Sequence, residues 1–67
     1  MNNLKKEYVI QVRNALFLFL NRKAGLSVEL IGDIFGVNKS TVSRQIKEAE
    51  EGNADKRLLL ELTKYFK

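Results

Sequence analysis

Apolar residues recur along this chain at spacings of three and four, the period of a helix buried on one face. The first such segment, 3–24, is the longest. Leu4, Tyr8, Val12, Ala15, Leu16 and Phe19 share one face, with Val9 and Leu20 at its edge. That face, Tyr8 included, is expected to enter the core. Ile10 and Phe17 stand seven apart on a second apolar strip, and Leu18 lies alone near the other edge. A helix with two apolar strips has two neighbours. Asn2 or Asn3 can cap its start. Gly25 ends it, and Leu26 can fold back over the last turn.

Two shorter segments follow, 27–35 and 38–51, joined at Gly36. Leu30, Ile31, Ile34 and Phe35 set the period of the first. Val42, Ile46 and Ala49 set that of the second. Ser27 is a good N-cap, because its hydroxyl accepts a free backbone N–H of the first turn, and Asn38 can serve the second helix in the same way. Gly36 falls where the chain must turn sharply at positive φ, which glycine adopts without a Cβ clash. Gly32 lies mid-helix, where glycine costs about 0.5–1 kcal/mol against alanine, so a second helix crossing at close range is expected there. A last helix, 53–66, is capped by Asn53, with Asp55 in its first turn. Leu58, Leu59, Leu62, Tyr65 and Phe66 cluster on one side of it, and Leu60 points elsewhere. The expected fold is all-α: one small four-helix domain over residues 1–67.

Composition narrows the chemistry. A chain of 67 residues without cysteine or histidine has neither a disulfide nor the usual zinc ligands to staple it. Its longest apolar run, 15–20, is far short of the ~20 residues that span a bilayer. No secretory leader is visible, so a cytoplasmic, nucleoid-associated location is expected. There is no glycine-rich phosphate loop and no catalytic constellation, hence no expected enzyme activity, cofactor, metal or small-molecule ligand. Glu29 and Asp33, four apart, read as solvent-facing charges. Tyr8 and Tyr65 read as core residues and not as stacking platforms for bases. The net charge of +4 favours an anionic partner. That charge is uneven: residues 1–27 sum to +4, 39–47 to +3 and 48–52 to −3.

Residues 27–51 resemble the DNA-binding helix-turn-helix family. The positions that carry the resemblance are Ile31, the small Gly32, Phe35, the turn Gly36, Val37, Val42 and Ile46, and the run GVNKSTVSRQI looks like the turn and recognition helix of bacterial, phage and transposon regulators. The resemblance covers about 25 of the 67 residues. It implies a second helix that enters the major groove of double-stranded DNA by its N-terminal half, which is the basic half here. With Val42 turned to the core, Ser40, Arg44 and Lys47 fall on the opposite side at about 100° per residue, and Ser43 flanks them. Those four are the expected base-contacting residues. Arg44 has the planar donor fork that reads guanine O6 and N7. Ser27, Asn38, Lys39 and Thr41 are the expected phosphate contacts, at helix N-termini suited to anions.

The resemblance therefore implies sequence-specific DNA binding in transcription regulation. Two other readings stay open. One is a protein-interaction adaptor on the same scaffold, and the other is the DNA-binding domain of a transposase or recombinase. A homodimer is also expected, because a core this small is stabilised by oligomerisation and the strips at Ile10, Phe17 and Leu60 are left over. A two-fold dimer of such units would set its recognition helices about 34–36 Å apart, one DNA turn.

Overall fold

The computed structural model describes residues 2–65, with side chains from Glu7 onward. Four helices follow in order: α1 (Asn2–Arg22), α2 (Val28–Phe35), α3 (Lys39–Glu50) and α4 (Lys56–Tyr65). The described residues contain no strand. None of their helices is long and apolar enough to cross a membrane. The expected caps Asn2 and Asn3, and the apolar Leu4 and Phe66, lie outside the described side chains.

α1 is the spine, and each of the other helices packs on it. It ends as its sequence suggests. Gly25 takes φ +75°, the Leu26 N–H donates back to the Leu20 carbonyl at 3.0 Å, and the Leu26 side chain packs on the core. Asn21 Nδ2 donates to the Leu26 carbonyl at 2.9 Å and fixes the connection into α2.

The face by which α1 enters the core is only in part the expected one. Phe17 is fully buried and sits at the centre of a cluster with Ile31, Val42 and Ile46. Its ring meets Phe35 edge-on at 5.0 Å between centroids, a favoured aromatic geometry. Of the six residues assigned to the core face, Ala15 and Phe19 are buried and Val12 and Leu16 only half-buried. Tyr8 is exposed, and so is Ile10 from the other strip. The cause is a polar residue. Fully buried Asn14 donates from Nδ2 to the Asn53 carbonyl at 2.8 Å, tying α1 to the corner between α3 and α4. That tie fixes the rotation of α1 and turns Phe17 inward beside it.

The same corner delays α4. Asn53 does not cap it: its N–H goes to the Glu48 carbonyl and its own carbonyl is taken by Asn14. Ala54 is buried against Ala15 and Ala49 in a second cluster, flanked by Leu58 and Leu59. The cap is Asp55, whose carboxylate accepts from the Leu58 N–H at 3.0 Å while its backbone N–H donates to the Gln11 carbonyl at 3.1 Å. Tyr65, expected in the core, is 85% exposed, and Leu60 also faces solvent.

Candidate nucleic-acid interface

α2 and α3 meet at a turn set by two glycines. Gly36 ends α2 at φ 72°, and its N–H donates to the Gly32 carbonyl. The Val37 N–H bonds to that same carbonyl at 2.9 Å. Gly32 is buried, and the neighbour that requires glycine is the turn itself and not a crossing helix. A Cβ built on Gly32 would lie 2.6 Å from the Val37 carbonyl oxygen. The obstacle is backbone, so it cannot yield as a flexible side chain would. Gly32→Ala should therefore destabilise the fold by roughly 1–3 kcal/mol despite alanine's better helix propensity. A thermal melt should show a fall of about 4–8 °C per kcal/mol. An unchanged melting temperature would mean that the turn lies farther from α2.

The two helix starts differ. Ser27 caps α2, its Oγ accepting from the Leu30 N–H at 3.1 Å. Asn38 occupies the N-cap position of α3 with extended backbone, but its side chain makes no capping bond. The expected cap is therefore not formed, and the N-terminal end of α3 keeps first-turn N–H groups that Asn38 does not satisfy. Such an end favours anions through its N–H groups and the helix dipole.

Val42, Ile46 and Ala49 fix the rotation of α3 by turning to the core. Ser40, Ser43, Arg44 and Lys47 are all exposed on the outward side. Asn38 and Lys39 are exposed at the start of α3, Ser27 is exposed at the start of α2, and Thr41 is half-buried on the flank. The outward face is thus a small hydroxyl-lined surface carrying Arg44 and Lys47, with no carboxylate until Glu48.

Two ion pairs were not legible in the sequence. Lys39 Nζ lies 3.3 Å from Glu29 Oε2, both groups well exposed. Glu29, Asp33, Val37, Asn38 and Lys39 line an open cleft between α2 and the start of α3. Lys39 thus faces an acid within the protein before it faces any phosphate. At the other end of α3, Glu50 pairs with Arg22 of α1, which neutralises part of the acidic tail. Gln45, half-buried beside the outward face, has a buried Oε1 without a hydrogen-bond partner. Sequence signals for these pairs were weak, since each joins residues brought together only by the turn or by the packing of α1 on α3.

Comparison with protein-family models, curated proteins and solved structures gives no match.

Proposed function

We propose that this chain binds double-stranded DNA sequence-specifically, with α3 as a recognition helix in the major groove, and that it acts in transcription regulation. The observation that carries the reading is the outward face of α3. Ser40, Ser43, Arg44 and Lys47 are exposed together on the side opposite Val42 and Ile46. Small hydroxyl side chains let a helix approach base edges closely, and Arg44 supplies a bidentate donor for guanine. Ser27, Asn38, Lys39 and Thr41 surround the N-terminal ends of α2 and α3, where phosphates are favoured. Phosphate contacts of this kind position the helix, and the base contacts specify the site.

Selection of bound sequences from random duplexes tests the reading. A common motif should emerge, and log affinity for it should fall linearly with log salt, by about 0.9 per phosphate neutralised. An adaptor that binds an acidic protein surface would enrich no motif.

Arg44 and Lys39 should separate in the same assay. Arg44→Ala is expected to cost about 1–3 kcal/mol on the selected site and to relax preference at one base pair. Lys39→Ala should weaken selected and random duplexes alike and flatten the salt slope. Equal losses on both duplexes for Arg44→Ala would make that residue a phosphate contact.

A further inference from the structure

The longest helix of this small protein carries partly exposed apolar residues in the arc between its contacts with α2 and with α4. Round the circumference of α1, at about 100° per residue, the order is Asn14, Phe17, Leu20, Val9, Leu16, Val12, Phe19, Tyr8, with Phe19 buried. Asn14 marks the side of α3, through its bond to Asn53, and Phe17 marks the side of α2. Beyond Phe17, away from α3, come Val9, Leu16 and Val12, and past buried Phe19, nearer the start of the helix, comes Tyr8. Val12 and Leu16 are half-buried yet belong to neither core cluster. Val9 is 55% and Tyr8 59% exposed.

α2 adds to the same surface. Round α2 the order is Gly32, Glu29, Asp33, Leu30, Ile34, Ile31, Phe35. Gly32 faces the turn into α3, and Ile31 and Phe35 face Phe17 of α1. Leu30 and Ile34, 44% and 59% exposed, therefore lie next to the α1 seam and are separated from α3 by the two acids. The two strips border one seam, on the back of the molecule relative to the outward face of α3.

We propose that this back face binds a second copy of the chain, with α1 of each copy laid across α2 of the other. Charge selects that pairing. From Tyr8 to Lys23 the chain carries Arg13, Arg22 and Lys23 and no acid, whereas α2 carries Glu29 and Asp33 and no base. Arg22 is engaged with Glu50 and Glu29 with Lys39. Arg13 is thus opposed to the partner copy's Asp33, reciprocally, as a two-fold axis requires. Packing α1 on α1 would instead bring cations together. The exposed parts of the six apolar side chains come to roughly 500 Å² per copy, so a dimer that covered them fully would bury on the order of 1,000 Å², the lower limit of a specific interface. Among the described residues the buried core is meagre, and three of its eight apolar members are alanine, so covering this face adds substantially to it.

The arrangement differs from a dimer seated on one palindromic site. Its two α3 faces point outward in opposite directions, so the dimer would hold two duplex segments together. That consequence rests on the DNA-binding reading, whereas the dimer does not.

Sedimentation equilibrium from low to high micromolar tests the dimer. The parent should approach twice 7.7 kDa. Ile34→Lys, at an exposed site, should keep the parent's helical signal and raise the dimer dissociation constant about tenfold or more. Arg13→Glu should also weaken the dimer, and adding Asp33→Arg to the same chain should restore it. A 7.7 kDa species throughout, a dimer indifferent to Ile34→Lys, or no rescue by the double charge reversal would overturn the proposal. A bead-bound duplex then tests bridging: the parent should retain a second, free duplex, and Ile34→Lys should bind the first but not retain the second. A parent that dimerises but binds no duplex would refute the DNA-binding reading and leave the back face standing. A parent that binds duplex as a monomer would refute the back face alone.

Discussion

Val42→Asp is expected to abolish cooperative unfolding, beyond any loss of binding. Val42 is fully buried against Phe17, Ile31 and Ile46, with Leu18, Leu20, Leu26, Val28 and Val37 around that cluster. All of these neighbours are apolar. A carboxylate placed among them loses its hydration and gains no compensating side-chain donor from this set, which costs several kcal/mol. At roughly 0.05–0.15 kcal/mol per residue, a chain of this size has a total stability of the same order. The variant should therefore populate states without fixed packing, and its thermal melt by circular dichroism should lose its sigmoidal shape. Val42→Ala is the control. It only removes methyl groups, so it should lower the midpoint and keep the transition sharp. If Val42→Asp melted like the parent, Val42 would face solvent and the rotation of α3 would be wrong. The expected site would then fail with it, because Ser40, Arg44 and Lys47 were placed by their position opposite Val42.

The dependence of the site on one core residue explains what could be read from the sequence. α3 has a single apolar side, so Val42, Ile46 and Ala49 fix its rotation without help from the rest of the fold. The exposure of Ser40, Ser43, Arg44 and Lys47 follows. Helix ends were legible for a similar reason: Gly25, Gly36 and the Ser27 cap act through their own backbone or the next turn. α1 has apolar residues most of the way round, and its buried arc contains the polar Asn14. Hydropathy therefore favoured the arc that the structure leaves half-open. The start of α4 posed the same difficulty. Asn53 and Asp55 are both good caps, and contacts with α1 decide between them, Asn14 on the Asn53 carbonyl and the Gln11 carbonyl on the Asp55 N–H. The Lys39–Glu29 pair spans ten residues and the turn, so no local pattern indicates it. What escaped the sequence, in each case, was a contact between distant segments.

Phe17→Ala is expected to be among the most costly truncations available in this chain, and it tests the rotation of α1 directly. The ring is fully buried between α1, α2 and α3, and Phe35 closes over it edge-on. Removing a buried phenylalanine side chain costs about 3–5 kcal/mol, as lost transfer energy plus the cavity left behind. The cavity would open where α1 supports both Ile31 and Val42, so α2 and α3 would loosen together. Leu16 is the informative comparison. It is one residue away and also large and apolar, but half-buried and outside both core clusters. Leu16→Ala should cost about 1 kcal/mol at dilute concentration. Its cost should rise with protein concentration if the back face is occupied by a second copy, because the part of the leucine still open in the monomer is covered in the dimer. Urea unfolding of both variants at two concentrations separates these contributions. Equal losses at low concentration would mean that Leu16 and Phe17 share the core, and the face assigned to α1 by hydropathy would have to be restored. A loss confined to Phe17→Ala places the largest fully buried side chain among the described residues on the second apolar strip of α1.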